Sequence, residues 1–239
     1  QSHRKLVGPI EKHHRQSRRN VFIDLGTNDG SSTKFFLGLT QRTARGDADL
    51  GGNTSSPLYG LGKDGNWEIY VFEGNKKYDK TLADLRSEVM SKNLAKSFTV
   101  YNHTAIGTVD GYAYFYFDNP NPDHTTVASS LNPESSIVRG NPRERVVSMD
   151  IATLLRDVIG LRVSDNVVLK IDVEGTEYDL MRRLFASSVL RLVDTLAVEY
   201  HHDNPYVLGN KGTREKYTEQ YKCITWMLAD TRIKLANWA

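Results

Sequence analysis

The chain has 239 residues, of which 39% are hydrophobic, enough to fill the core of one large domain. Its formal net charge of +2 gives no sign of a nucleic-acid-binding face, so DNA is not an expected partner. The single cysteine, Cys223, excludes an internal disulfide and a thiolate metal site, and no apolar run approaches the ~20 residues that a membrane helix needs.

The first 20 residues are distinct from the rest of the chain. They hold six basic residues against one acid, Glu11, which predicts a basic arm or linker ahead of a single domain over 21–239. A solvated lead-in and a contact for an acidic partner are both open. The chain starts at Gln1 rather than Met, which favours a trimmed or processed product. Sequons at Asn53 and Asn102 leave both the cytoplasm and the secretory-pathway lumen open as locations.

The apolar run Val21–Ile23 predicts a short buried strand that ends in a turn containing Gly26 and Gly30. Such a turn at the carboxyl end of a parallel strand is where open α/β sheets bind nucleotide-like ligands. Dinucleotide sites use Gly-x-Gly-x-x-Gly, whereas this turn has Gly-x-x-x-Gly with Asp24 ahead of it. An acid suits a ligand with an amino group and no phosphate, such as S-adenosylmethionine. An ordinary strand-turn-helix connection is the alternative.

Later segments alternate between strand and helix patterns, which predicts a parallel, doubly wound α/β sheet. The predicted strands are Glu68–Phe72, Phe98–Tyr101, Val167–Ile171, Val193–Glu199 and a closing strand Ile233–Trp238. The predicted helices are Ser31–Leu39, Lys77–Lys92, Ser148–Val158 (beginning near Asp150), Thr176–Ser187 and Arg214–Leu228. In the last of these, Cys223 is expected to be a small buried side chain. Residues 40–66 and 118–143 lack periodicity and predict two loop insertions, and the aromatic run Tyr112–Phe117 predicts one arm of an added antiparallel unit.

Three segments together resemble the FkbM family of S-adenosylmethionine-dependent methyltransferases: Asp24–Gly30, Val71–Asn75 and, most specifically, Lys170–Glu177. The resemblance implies a Rossmann-like class I methyltransferase fold. That fold is a mostly parallel seven-stranded sheet with an antiparallel closing strand, here carrying an added β unit. The sequence departs from the family at Thr27, where Ala is usual.

The resemblance also implies a cofactor site at the carboxyl edge of the sheet. The residues expected to line the methionine portion of S-adenosylmethionine are Gly26, Thr27, Asn28 and Gly30, with Asp24 near its amino group. Glu73 is expected to accept hydrogen bonds from the ribose hydroxyls, with support from Asn75. Thr104 and Ala105 follow the third strand, where adenine packs in this fold.

The segment Lys170–Glu177 brings charged residues to the end of a buried strand, which is costly unless they are paired or used. Lys170 and Asp172 share one strand face, so Lys170 is expected to neutralise an acid. Asp172 or Glu174 can act as general base toward a hydroxyl. Histidine at the end of the fifth strand, His201 or His202, is a further candidate base.

Two other interpretations of these acids are open. Asp172 can bind Mg²⁺ or Mn²⁺ together with Glu199 and His201, because hard oxygen ligands suit those ions. The acids can also form an ion-pair network with a purely structural role.

The sequence therefore predicts an O-methyltransferase that acts on a hydroxyl, and the resemblance suggests a sugar in a glycan or glycoconjugate as acceptor. The alternatives are a methyltransferase acting on protein or RNA, a nicotinamide-dependent dehydrogenase, and a non-catalytic cofactor-binding module. The missing third glycine counts against the dehydrogenase. The acids Asp172 and Glu174 count against the non-catalytic module.

Overall fold

A computed structural model describes residues 17–40, 56–117, 129–133, 141–201 and 211–236. The strands are β1 (Asn20–Leu25), β2 (Trp67–Glu73), β3 (Ser97–Asn102), β4 (Thr104–Gly107), β5 (Gly111–Tyr116), β6 (Arg143–Asp150), β7 (Asn166–Ile171), β8 (Thr195–Val198) and β9 (Lys234–Ala236). The α-helices are α1 (Ser31–Phe36), α2 (Asp79–Ser91), α3 (Ile151–Thr153, continued by a π-helix Leu154–Val158), α4 (Glu177–Ala186) and α5 (Lys211–Ala229). Single 3₁₀ turns cover Lys76–Tyr78 and Val189–Leu192.

Six strands form the main sheet in the order β3-β2-β1-β7-β8-β9, and every pair of neighbours is parallel. The chain moves outward from β1 in one direction and outward from β7 in the other. The strand order therefore reverses between β1 and β7, and the carboxyl ends of these two strands lie side by side. Open α/β sheets bind their ligands at such a reversal.

Both faces of this sheet are covered, which confirms the predicted doubly wound α/β architecture. Val21, Ile23 and Leu25 of β1 belong to a core shared with α3, α4 and α5. Phe22, on the other face of the same strand, packs in a second core with α1 and α2. Because successive strand side chains alternate between faces, one strand contributes to both cores. Phe22 stacks on Phe36 of α1, with ring centroids 3.9 Å apart.

The expected seven strands with an antiparallel closing strand are a wrong prediction for the described residues. The main sheet has six strands there, and the last, β9, pairs with β8 in parallel. The reason lies in the connection: helix α5 stands between β8 and β9. Parallel neighbours need a crossover connection, usually a helix, whereas a short hairpin can join antiparallel ones.

A second sheet of three strands has the order β4-β6-β5. Strand β5 pairs antiparallel with β6, which confirms the antiparallel unit predicted from Tyr112–Phe117. The sequence analysis missed β4 and β6. In β6 the charged residues Arg143, Glu144 and Arg145 hide the alternation, and only Val146, Ser148 and Asp150 are buried.

The helix boundaries follow local backbone signals. Helix α1 ends before Gly38, whose φ of +70° a helix does not allow, so it is shorter than the predicted Ser31–Leu39. Helix α3 begins after Asp150, as predicted, because the Oδ1 atom of Asp150 accepts a hydrogen bond of 2.7 Å from the amide of Ala152.

The structure also bears on the expectations for Cys223, for a membrane helix and for the two sequons. Cys223 is exposed, so its expected burial is wrong: it lies on a solvent-facing side of α5. Within the described residues, no helix combines the length and apolar character that crossing a bilayer requires. The sequon at Asn53 and most of the basic arm lie outside the described residues, while Asn102 is exposed at the end of β3.

The end of the basic arm is anchored to the domain. Arg19 donates to the buried carboxylate of Asp165 from Nε (3.1 Å) and Nη2 (2.6 Å), and Arg162 donates to it from Nη2 (3.0 Å). Burial opposes ionisation of Asp165, but these hydrogen bonds and charges outweigh burial and lower its pKa to about 2. Asp165 therefore connects the start of β1 to the loop that precedes β7.

We expect Asp165→Asn to lower the free energy of unfolding at pH 7 by about 2 kcal/mol, because it removes the charge that the two arginines stabilise. A lowered folded-state pKa means that this stabilisation is present above the unfolded pKa and is lost as the pH falls toward 2. Urea unfolding at pH 7 and at pH 2.5 measures the free energy of unfolding. Between these two pH values it should fall less in the variant than in the wild type. Equal curves would contradict the assignment, and Asp157→Asn, at an exposed ion pair, is the control.

Candidate active site

The turn after β1 packs directly against the end of β7. Gly26 has a φ of +75°, and a Cβ at this position would lie 1.8 Å from the carbonyl oxygen of Asp172. The amides of Gly26 and Thr27 both donate to the carbonyl of Phe72 in β2, at 3.1 and 3.2 Å. Asn28 also has a positive φ, of +54°. The turn thus joins the ends of β1, β2 and β7, and only glycine fits at its first position.

Asp24 lies beneath this turn and is fully buried. Its Oδ2 atom accepts hydrogen bonds from the hydroxyls of Thr27 (2.8 Å), Thr33 (2.8 Å) and Ser32. Its Oδ1 atom lies 3.2 Å from the ammonium of Lys170. The carboxylate therefore holds the turn and the start of α1 in place. Its expected position near a cofactor amino group stays a prediction.

Lys170 is a buried cation between the turn and the acids of β7. Its Nζ atom donates to the carbonyl oxygen of Gly26 at 2.8 Å and lies 3.3 Å from Oδ2 of Asp172. Burial lowers the pKa of Lys170, but the charges of Asp172 and Asp24 outweigh burial and raise it above its ordinary value. Lys170 and Asp172 form the expected ion pair.

Glu73 ends β2 beside the same turn. Its two carboxylate oxygens each accept a backbone amide, Oε2 from Asn28 and Oε1 from Asn75, both at 2.8 Å. The side chain of Asn75 in turn accepts the amide of Lys77 at 3.0 Å and caps the following 3₁₀ turn. Burial raises the pKa of Glu73 to about 7, although the two amide hydrogen bonds oppose the rise. The structure therefore brings Glu73, Asn28 and Asn75 together, and their roles toward a cofactor stay a prediction.

Thr104 and Ala105 have a different setting from the expected one. They do not simply follow the third strand: after His103, at a φ of +50°, the chain enters β4 of the second sheet. Both residues are buried in that strand, and the Thr104 hydroxyl donates to the carbonyl of Asn102 at 2.9 Å. Their place beside an adenine ring stays a prediction.

Four side chains converge where β7 and β8 end, and we call this group the acid corner: Asp172, Glu174, Glu199 and His201. The Nε2 atom of His201 lies 3.3 Å from Oε2 of Glu174 and 3.6 Å from Oε1 of Glu199. Asp172, Glu199 and His201 each offer a ligand atom within 4.8 Å of the others. His202, the second candidate histidine, lies outside the described residues.

Burial and mutual charge interactions shift the pKa values of two groups in the acid corner, Glu174 and His201. Burial raises the pKa of Glu174 to about 8; the charge of His201 opposes this, and the charges of Asp172, Glu177 and Glu199 add to it. Burial lowers the pKa of His201, but the hydrogen bond and charge of Glu177, followed by the charges of Glu174 and Asp172, raise it to about 10. Perturbed groups gathered at a sheet edge are typical of functional sites.

Two residues of this site had no assigned role in the sequence analysis. Glu177, fully buried at the start of α4, accepts the amides of Val173 (3.2 Å) and Gly175 (3.1 Å) and contacts Nδ1 of His201 at 3.0 Å. Its position within the Lys170–Glu177 segment was the available signal. Ser130 donates its hydroxyl to the carbonyl of Glu174 at 2.6 Å. It lies in the predicted loop insertion 118–143, and no sequence pattern marks it.

The comparison with family models agrees with the sequence resemblance. The family model described as the methyltransferase FkbM domain matches residues 24–219, most of the chain. Among solved structures, the chain is similar to the methyltransferase FkbM from Methylobacillus flagellatus KT, with a TM-score of 0.43 and 14% identity over 83% of the chain. The chain spans 37% of the length of that protein. No curated protein matches the chain significantly.

Proposed function

The chain belongs to the FkbM methyltransferase family, and from that premise we propose that it is an S-adenosylmethionine-dependent O-methyltransferase. Its proposed acceptor is a hydroxyl, in a sugar of a glycan or glycoconjugate. One observation carries the proposal: Asp172, an acid with a free oxygen, lies against the glycine turn at the point where the strand order reverses. In the described part of the molecule, Oδ1 of Asp172 accepts no hydrogen bond.

The residues at the end of β1 and β2 fit S-adenosylmethionine. Each oxygen of Glu73 accepts one backbone amide, and a carboxylate has about four acceptor positions. Glu73 therefore keeps acceptor capacity for the two ribose hydroxyls. The absence of a Cβ at Gly26 lets the turn approach the carbonyl of Asp172 at the end of β7. We assign the methionine portion to this turn and the ribose to Glu73, with the adenine beside Thr104 and Ala105.

S-adenosylmethionine supplies an electrophilic methyl group on a sulfonium when it is bound. The protein then has two tasks: to hold the acceptor oxygen in line with the methyl carbon and to accept the hydroxyl proton. Orientation of this kind is worth up to ~7–11 kcal/mol. The 3.3 Å contact with Lys170 holds Asp172 at the strand end. Its Oδ1 atom can then accept a hydrogen bond from the acceptor hydroxyl. Asp172 or Glu174 takes the proton as general base.

A sugar acceptor fits the chemistry of this corner. Sugars present several hydroxyl donors on one ring, and ionised carboxylates are strong acceptors for them. Asp172, Glu174 and Glu199 offer acceptors at one edge of the sheet. A protein or RNA acceptor is the alternative, and the basic arm is the feature that favours RNA.

The ribose assignment predicts a pH-dependent cofactor affinity. Because the pKa of Glu73 is about 7, its carboxylate is mostly ionised at pH 8 and mostly protonated at pH 6. The ionised form is the better acceptor, so affinity for S-adenosylhomocysteine should rise about tenfold from pH 6 to pH 8. Calorimetry across this range measures the rise.

Glu73→Gln should remove the pH dependence and weaken binding at pH 8 by at least about tenfold. Glu88→Gln, at an exposed position of α2, is the matched control and should behave as the wild type. A variant of Glu73 that retains full affinity and the same pH profile would refute the ribose role.

The proposed reaction is tested by a glycan array with radiolabelled S-adenosylmethionine and the purified protein. We expect label on a restricted set of glycans that share one free hydroxyl. Label only on added protein or RNA would replace the glycan acceptor with the alternative. The absence of transfer to any acceptor, with tight cofactor binding, would favour a non-catalytic module.

A further inference from the structure

We infer that the acid corner is a site for one divalent cation, Mn²⁺ or Mg²⁺, held by Asp172, Glu199 and His201, and that Glu177 is the residue that positions His201 as a ligand. The inference deepens the proposed function, since the ion would hold the acceptor hydroxyl. Its binding, however, can be measured without cofactor or acceptor.

The first observation is the spacing of the ligand atoms. One atom each from Asp172, Glu199 and His201 lies within 4.8 Å of the other two. Ligand atoms of Mg²⁺ are about 4.2 Å apart when they lie on opposite sides of the ion and about 3.0 Å apart when they are neighbours, so a pair at the 4.8 Å limit needs to close by roughly 0.6 to 1.8 Å. The strand ends that carry Asp172 and Glu199 are held together by backbone hydrogen bonds. The amide of Glu199 donates to the carbonyl of Ile171 at 3.0 Å, and the amide of Asp172 donates to the carbonyl of Leu25 at 3.1 Å.

The second observation is independent of the acids and concerns the imidazole. His201 is only 3% exposed, and within the described residues its Nε2 atom has no hydrogen-bond partner, although it points into the acid corner. Its contacts with Oε2 of Glu174 at 3.3 Å and Oε1 of Glu199 at 3.6 Å are ion-pair contacts without hydrogen-bond geometry, and a buried ring nitrogen that makes no hydrogen bond is costly. A cation bound through the Nε2 lone pair would satisfy it.

Glu177 gives the imidazole the orientation that such a ligand needs. Its Oε1 atom lies 3.0 Å from Nδ1 of His201. With Nδ1 as the donor to Glu177, the nitrogen that faces the acids is Nε2, and a cation would bind there in place of the Nε2 proton. Glu177 is itself fixed by the amides of Val173 and Gly175. A carboxylate that orients a histidine in this way is the usual outer partner of a metal-bound imidazole.

The charge balance of the corner also favours a cation. Asp172, Glu174 and Glu199 are three carboxylates around one imidazole. Among the described residues, the cations here are the His201 imidazolium and Lys170, and Lys170 is engaged by Asp24, Asp172 and the carbonyl of Gly26. The two carboxylate ligands are of the kind that suits Mn²⁺ and Mg²⁺. The ion would acidify the acceptor hydroxyl, and Glu174, outside the three ligands, would take its proton.

The test uses the full chain after dialysis against EDTA, with MnCl₂ as the only added metal. We expect electron paramagnetic resonance to show about one bound Mn²⁺ per chain, with ¹⁴N coupling from His201. Glu199→Gln should reduce the affinity at least tenfold. Glu177→Gln, which keeps an acceptor oxygen, should weaken binding by ~10–100-fold because it loosens the imidazole. The exposed acid Glu219, changed to Gln, is the matched control and should bind as the wild type.

Absence of Mn²⁺ binding by the wild-type chain at millimolar metal would overturn the inference, as would unchanged affinity in a folded Glu199→Gln variant. Wild-type affinity in a folded Glu177→Gln variant would overturn the positioning role. Calorimetry with S-adenosylhomocysteine on the same metal-free sample keeps the two proposals separate. Mn²⁺ binding without S-adenosylhomocysteine binding would support the cation site and contradict the proposed function. Binding of S-adenosylhomocysteine without Mn²⁺ binding would support the cofactor site and contradict the cation site.

Discussion

Lys170→Met is expected to lower the free energy of unfolding by ~3–5 kcal/mol, because it leaves the buried carboxylate of Asp24 without its cation. Asp24 is fully buried and keeps only its three hydroxyl partners in such a variant. The carbonyl of Gly26 also loses its donor. Urea unfolding at pH 7 measures the loss, and the turn after β1 should become more susceptible to hydrogen exchange.

Lys92→Met is the control for this change, since Lys92 makes an exposed ion pair with Glu88, and we expect its unfolding curve to lie close to that of the wild type. The double variant Lys170→Met, Asp24→Asn should recover part of the lost stability, because no unpaired charge then remains buried. A loss below about 1 kcal/mol in Lys170→Met would mean that the buried pair does not hold the turn.

Asp172→Asn is expected to reduce kcat by ~10²–10⁴-fold, because it removes a carboxylate that receives the acceptor hydroxyl. The substitution keeps the size of the side chain, and the amide of residue 172 still donates to Leu25. Affinity for S-adenosylhomocysteine should stay within a few-fold of the wild type. Initial rates and calorimetry on the same preparation measure both quantities.

Asp179→Asn is the matched control, because Asp179 is an exposed acid of α4 that pairs with Arg182. It should keep wild-type turnover. Unchanged kcat in Asp172→Asn would remove Asp172 from the chemistry. An equal loss of turnover and of cofactor affinity would place Asp172 in cofactor binding instead.

The sequence predicted the parts of the molecule that depend on local pattern. The apolar runs Val21–Ile23 and Val167–Ile171 identified β1 and β7, and the glycine turn that follows β1 indicated the edge at which they meet. Charged side chains at the end of a buried strand, such as Lys170 and Asp172, are unfavourable in free energy unless they are paired, and they are therefore easy to notice in the sequence. That cost is why the ion pair was predictable before the structure.

Other features depend on contacts between distant segments and left no local signal. The direction of β9 is set by the helix before it, and the alternation in β6 is hidden by three charged residues at its start. Ser130 reaches the carbonyl of Glu174 from a segment that reads only as loop. The four partners of Asp24 come from the turn, from α1 and from β7, and its expected place near the amino group of the cofactor stays a prediction.

The central claim is that the turn Gly26–Gly30, together with Glu73, binds the methyl donor. The most direct measurement is a crystal structure of the chain soaked with S-adenosylhomocysteine. The account predicts density for the amino-acid portion over this turn and a hydrogen bond from each ribose hydroxyl to Glu73. Density at another surface, with the turn and Glu73 free of ligand, would contradict it.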